Sequence, residues 1–147
     1  MQKIKVATMS RSDVDEVMQI EKECPVECWN KTNYEESLKN PAYDILVAKS
    51  ENEILGFVSM YAAVDEGYIC NIAVRKAAQN QGIGTRLITK TMELSKAKNL
   101  KFLSLEVRES NVNAIAFYEK LGFANLGVRK NFYSNPSEHA IIMTKYF

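Results

Sequence analysis

A chain of 147 residues has room for one domain with a full core and is too short for two ordinary ones. With 46% hydrophobic and 25% charged residues, and only six glycines and three prolines, it has the composition of an ordered globular protein rather than of a low-complexity segment. Nineteen basic against eighteen acidic side chains leave a formal charge of +1, which excludes a sequence-wide field toward nucleic acid or anionic lipid.

No apolar run approaches the roughly 20 residues that span a bilayer, and the start Met1-Gln2-Lys3-Ile4-Lys5 lacks a signal-peptide core, so the cytosol is the expected address. Cys24 and Cys28 stand in a CxxxC spacing, with Cys70 and the single His139 far away. A structural zinc site normally takes four N or S ligands, so free thiols and no metal are expected.

In chain order, residues 3–8 alternate as a strand, and Ser10 with Asp13 resembles an N-cap pair opening a helix up to about Cys24, ended by Pro25. Asn30 or Thr32 caps a second short helix through Leu38, closed by the Asn40-Pro41 turn. Residues 43–48 and 54–61 read as a hairpin around the polar turn 50–53. Residues 67–74 form a strand, followed by a two-glycine loop and a helix that ends near Asn99. Residues 102–107 form the next strand, Asn111 to Leu121 a helix with Gly122 as its stop, and residues 123–128 and 140–146 two last strands. Hairpins followed by strand-helix-strand-helix-strand predict an α/β (α+β) fold: a mixed, mostly antiparallel sheet of about seven strands with about four helices on both faces.

The loop reads Gln79-Asn80-Gln81-Gly82-Ile83-Gly84-Thr85. Two glycines at a helix entrance permit close backbone approach, and the free N–H groups of the first turn favour an anion, most often a phosphate. Neither familiar nucleotide loop fits: there is no lysine until Lys90, and Leu87 stands where a dinucleotide fingerprint has its third glycine. By itself the loop is equally a tight turn with no ligand.

The ordered set Asn71-Ile72-Ala73-Val74, Gln79-x-x-Gly82-x-Gly84, Leu105-Glu106-Val107-Arg108, Asn111 and Ala116-Phe117-Tyr118-Glu119-Lys120-Leu121-Gly122-Phe123 resembles the GNAT superfamily of acetyl-CoA-dependent N-acetyltransferases over essentially the whole chain, as one domain, 1–147. Within it, "NIAV", "LEVRESNVNAIAFYEKLGF" and "RKNFYSNPSEHAIIM" are most similar to the bacterial RimI type, which acetylates the N-terminal alanine of a small-subunit ribosomal protein. The "PW" common before the second helix of that type is Cys28-Trp29 here, and its tail tyrosine pair is Phe132-Tyr133.

The resemblance implies that backbone groups of Ile72, Ala73 and Val74 meet the pantetheine arm of acetyl-CoA. Those of Asn80, Gln81, Gly82, Ile83, Gly84 and Thr85 would hold its pyrophosphate, with Arg86 as an added charge. Asn111 would contact the arm while capping its helix. Glu106, a charge in the apolar run "FLSLEV", becomes the candidate relay for the acceptor's ammonium proton, its alternative being an outward residue of an alternating strand. Tyr118 becomes the candidate acid for the departing thiolate, its alternative being a packing aromatic beside Phe117 and Phe123.

For the acceptor, Glu66 is placed to attract an ammonium, and Trp29, Tyr34, Phe132 and Tyr133 to wall a peptide groove. The implied partner is the N-terminal peptide of a ribosomal or other protein, met by a monomer or weak dimer with no direct nucleic-acid or membrane contact. Acetylation of a lysine side chain or small amine, and a non-catalytic acyl-CoA-binding module, stay open as alternatives.

Overall fold

The structure, a computed structural model, describes residues 3–23, 31–134 and 136–147. Among them a seven-stranded sheet runs in the order β1-β2-β3-β4-β5-β7-β6. The strands are β1 (Lys5–Thr8), β2 (Tyr43–Lys49), β3 (Ile54–Ala63), β4 (Glu66–Val74), β5 (Phe102–Arg108), β6 (Ala124–Tyr133) and β7 (Glu138–Tyr146), and the helices α1 (Val14–Glu23), α2 (Lys31–Lys39), α3 (Ile83–Ala97) and α4 (Val112–Lys120). Every neighbouring pair is antiparallel except β4 and β5. The expected mixed sheet with helices on both faces is what forms.

Alternation decides which face each helix covers. On β2, Ile45 and Val47 belong to one apolar cluster with Val14, Val17 and Ile20 of α1 and Tyr34 of α2. Leu46 and Ala48 belong to the other, with Leu87 and Ile88 of α3 and Tyr118 of α4. A strand covered on both sides reads as an unbroken apolar run, as residues 45–48 do. On β5 the pattern is one-sided: Leu103, Leu105 and Val107 enter the α3/α4 cluster, whereas Phe102, Glu106 and Arg108 on the other face are half-buried.

Several boundaries differ from the sequence reading. A 3₁₀ turn, Arg11–Asp13, precedes α1, and another, Lys76–Ala78, precedes the glycine loop. Strand β6 runs on through Phe132 and Tyr133, beyond the end at Val128 that the sequence predicts. As the edge strand it is exposed at most positions, so it carries no apolar alternation from which its length could be read. The C-terminal end of α1 at Cys24 and Pro25, and the Asn30 cap, lie outside the described residues.

The entrance to α1 carries the expected N-cap pair. The backbone N–H of Ser10 donates to Asp13 Oδ2 at 2.9 Å, its hydroxyl donates to the same oxygen at 3.0 Å, and Lys49 of β2 stands 3.0 Å from Oδ1. Burial pushes the Asp13 pKa up, but the Ser10 N–H and Lys49 outweigh it and leave the carboxyl below its ordinary value. A depressed carboxyl contributes stability that is complete above the unfolded-state value, about 3.9, and is lost as pH falls through the folded value. We expect Asp13→Asn to cost about 1 kcal/mol near neutrality. In urea unfolding across pH, the gap to the unsubstituted protein should close below about pH 4; a gap that does not change with pH would remove the charge from this account.

Candidate active site

The site begins with an irregularity in β4. Along the β3–β4 ladder Ser59 faces Asn71 and Met60 faces Ile69, so Cys70 is an extra residue in a β-bulge. The bulge lets Ile69 and Ile72, three apart, both reach the α3/α4 cluster. A bulge bends its strand and increases the local twist. On the far side of β4, pairing with β5 joins Glu66, Gly67 and Tyr68 to Phe102, Leu103 and Ser104 and goes no further. From Ile69 to Val74 on β4 and Leu105 to Arg108 on β5, the two strands run on without a ladder. An open split in the middle of the sheet results, bordered by Ile72, Ala73 and Val74.

At the mouth of the split β4 passes into the glycine loop. Gln79 Nε2 donates to the Val74 carbonyl at 3.1 Å, folding the loop back on the strand. Asn80 and Gly82 both take left-handed backbone, at φ 64° and 79°. The first helical bond of α3 is Arg86 N–H to the Gly82 carbonyl, at 3.1 Å. The N–H groups of Asn80 through Thr85 donate to no other described residue, and an added Cβ on Gly82 would meet nothing within 4 Å. The loop thus presents a row of unpaired donors, with the positive end of a 15-residue helix behind them, to open space. These residues fit an anionic, extended ligand such as acetyl-CoA: donors for a pyrophosphate, then an unpaired strand edge for an arm.

Gly84 has a packing reason beside the one the motif suggests. A Cβ there would stand 3.3 Å from Cζ of Phe117, so its absence lets α4 approach α3. Arg86 is also redirected: its Nη2 donates to the Ile4 carbonyl at 2.7 Å, tying α3 toward β1. Asn111 caps α4 by accepting from the Ala114 N–H at 3.2 Å, which leaves its amide NH₂ for another partner.

Glu106 stands on the face of β5 away from α3 and α4, with Arg129 Nε of β6 at 3.5 Å from its carboxylate. Across the split, its charge acts on two groups of β4. Surrounding protein atoms and then Glu106 push the Cys70 thiol up to about 11, although the residue itself is exposed and its thiol free. The Tyr68 hydroxyl donates to the Glu66 carboxylate, and this bond, followed by burial, raises the phenol above its ordinary value.

Farther along the same face, the Arg129 guanidinium lies 5.7 Å from the Phe132 ring, and Phe132 stacks edgewise on Tyr133 at 5.0 Å. Arg108 sits 4.4 Å over Tyr133, pairs with Glu138 at 3.2 Å and donates to the carbonyls of Ser134 and Pro136. Glu66, Phe132 and Tyr133 therefore share the face that carries Glu106.

Tyr118 lies on the other side of the sheet, 5% exposed in the α3/α4 cluster, with Phe117 and Phe123 at 5.1 and 5.6 Å. Burial, with Tyr133 adding to it, drives its pKa well above the ordinary phenol value. Glu106 and Tyr118 thus lie on opposite faces of the sheet. Tyr34 is not a groove wall: it is fully buried, its hydroxyl donates to the buried Glu21, and its ring meets Phe57 edgewise at 6.4 Å. An aromatic on a short polar helix gave no sign of facing inward. Trp29 lies outside the described residues. Among the described residues no group of three or more His, Cys, Asp or Glu side chains is arranged to hold a metal, and no helix is long and apolar enough to cross a membrane.

Sequence reasoning missed the anchor at the end of β4. Arg75 donates to the Ile54 carbonyl at 2.7 Å and pairs with Glu16 and Glu23 of α1, each at 3.1 Å. It fixes the strand end from which the glycine loop departs. Its signal was a charge directly after "NIAV", with nothing local to show its partners.

The sequence pattern of the acetyltransferase (GNAT) family matches residues 14–123. A Bacillus subtilis protein named as a candidate [ribosomal protein bS18]-alanine N-acetyltransferase is 36% identical over 142 residues, covering 96% of this chain and 94% of its own. The [ribosomal protein bS18]-alanine N-acetyltransferase of Haemophilus influenzae is 33% identical over 148 residues, covering 96% and 97%. The crystal structure of the Escherichia coli ribosomal-protein-S18-alanine N-acetyltransferase superposes with a TM-score of 0.89 at 27% identity, over 98% of this chain and 94% of that one. A split sheet with a donor-lined helix entrance at its mouth, and a family pattern spanning most of the chain, agree: the protein belongs to the GNAT family of acetyltransferases, which use acetyl-CoA.

Proposed function

We propose that the protein transfers the acetyl group of acetyl-CoA to the α-amine of a protein N-terminus, that of the alanine of ribosomal protein bS18, through a single domain spanning residues 1–147 and working in the cytoplasm. The observation that carries this reading is the split between β4 and β5, with Glu106 on one side of the sheet and Tyr118 on the other. The names of relatives that match over nearly the full chain support the acceptor.

Acetyl-CoA supplies the activated acyl group as a thioester. In this reading the N–H groups of residues 80–85 hold its pyrophosphate, the β4 edge at Ile72, Ala73 and Val74 pairs with its arm, and the Asn111 amide adds a contact. An α-amine has a pKa of about 8 and is mostly protonated near neutrality, so a proton must leave before it can attack. Glu106 accepts that proton, directly or through one water. Tyr118 donates its O–H proton to the departing sulfur. A phenol raised by burial stays protonated through neutral and mildly alkaline pH, so the acid is always loaded. Glu66, Tyr68, Phe132 and Tyr133 border the path by which a peptide reaches Glu106.

Mass spectrometry after incubation with acetyl-CoA, using a peptide with the bS18 N-terminus beside lysine peptides and small amines, tests the acceptor. Acetylation confined to the alanine α-amine is expected, and preference for a small amine would overturn the reading. Gly82→Val, which strains a left-handed position and covers the donors, should weaken acetyl-CoA binding by calorimetry; unchanged affinity would unseat the loop.

Glu106→Gln should lower kcat by roughly 10²-fold to 10⁴-fold, with partial recovery as rising pH frees the amine. Wild-type turnover at neutral pH would reduce Glu106 to a strand residue. Tyr118→Phe should cut turnover by about tenfold or more, beyond the roughly 0.5–1.5 kcal/mol that one hydrogen bond is worth, while melting temperature holds. Because the Tyr118 pKa is raised, the rate of the unsubstituted enzyme should show no Tyr118-dependent fall below about pH 10. A Tyr118-dependent fall there would mean that burial does not hold the phenol above its ordinary value.

A further inference from the structure

Three arginines border the face that carries Glu106 or its approach, and they are held very differently. Arg75 has two carboxylates and a carbonyl, and Arg108 has a carboxylate, two carbonyls and an aromatic face. Among the described residues Arg129 has one carboxylate contact, Nε to Glu106 at 3.5 Å, with its own side chain 57% exposed and that of Glu106 31% exposed. Its other neighbours are the face of Phe132 and, across the split, the Tyr68 phenol, on which its charge acts. Arg129 is also the last β6 residue in register with β7 before a shift that resumes at Tyr133, so its backbone stands at the end of the regular ladder.

We propose that Arg129 is a displaceable occupant of the acceptor-ammonium position, which pairs with Glu106 in the free protein and gives that carboxylate up to the incoming N-terminus. This rests on the reading of Glu106 as the group that meets the acceptor. Among the described residues, the charged and titratable groups facing Glu106 are Tyr68 and Cys70 across the split, Glu66 behind Tyr68, and Arg129 on β6; Arg108 is committed to Glu138. Arg129 is thus the cation an ammonium has to replace.

The exchange is easy on both sides. An exposed single-contact ion pair shifts an equilibrium by about fivefold at most. Once displaced, the guanidinium keeps a cation–π partner in Phe132. One positive charge replaces another beside Glu106, so the face stays balanced when the acceptor arrives. Arg129 is accordingly a competing occupant: it weakens acceptor binding slightly and keeps Glu106 paired until the acceptor's ammonium takes its place.

The test is a double-mutant cycle on acceptor binding. A hexapeptide beginning with alanine is titrated by calorimetry, in the presence of CoA, into the unsubstituted protein, Arg129→Gln, Glu106→Gln and the double variant, with melting temperatures as the check on folding. Arg129→Gln should bind the peptide up to about fivefold more tightly. In the Glu106→Gln background the same substitution should make no difference. The Nα-acetylated peptide, which has no ammonium, should be indifferent to Arg129.

Unchanged affinity in Arg129→Gln, or a gain that persists without the Glu106 carboxylate, would overturn the proposal, the latter result meaning general charge repulsion only. The kcat of Glu106→Gln separates this from the base assignment. Wild-type turnover there sinks Glu106 as the base, whereas a large loss with no Arg129 coupling sinks only the displacement.

Discussion

The molecule depends on the failure of β4 and β5 to remain paired. After three residues in register the strands part, next to the extra residue at Cys70, where a bulge bends β4. A sheet that opens in its middle gives up ladder hydrogen bonds, each worth about 0.5–1.5 kcal/mol net, and exposes two inner edges. The loss is borne because the strands on either side are held by other means: β4 by the full-length ladder to β3 and by Arg75, β5 by seven registered pairs with β7. What would be an aggregation hazard at the rim of a sheet is, in the interior, reachable only by a slender extended ligand.

The two faces of the split are chemically unlike. Beneath α3 and α4 the lining is apolar and Tyr118 is buried, which keeps a phenol neutral. On the other face β5 and β6 present Glu106, Arg129 and the Phe132-Tyr133 pair, partly open to water. In the proposed reaction the group that must stay protonated sits on the dry side, and the one that exchanges a proton with a solvated amine on the wet side. The same division explains why Glu106 tolerates its place in an otherwise apolar strand: its neighbours two residues away are Ser104 and Arg108, not the leucines between.

Charge holds this arrangement in place more than it drives folding. Glu16 and Glu23 of α1 reach Arg75 at the root of the glycine loop, so the helix covering one face of the sheet is fastened to the segment that serves the opposite face. Glu138 fastens Arg108 and also accepts from the Ser110 N–H at 2.6 Å, joining the last strand to the turn before α4. These pairs bridge elements distant in the chain, where apolar packing alone would leave the register of loops undetermined.

Much of this was determined by the sequence itself. Period-two and helical spacing placed the strands and helices, Ser10 with Asp13 announced a helix entrance, and Asn111 announced another, because caps and alternation act over three or four residues. The order of elements and the family resemblance named the glycine loop, Glu106 and Tyr118 as site residues. Only the tertiary structure decided what faced what. Tyr34 went into the core because α2 packs on β2 above Phe57, and Arg86 turned to β1 because α3 lies across it. Gly84 answers to Phe117, thirty-three residues away, and Arg129 meets Glu106 across β7, through which β5 and β6 are joined. Contacts between distant segments leave no periodic trace in either one, since each residue's type is compatible with many partners until the sheet order brings one of them within reach.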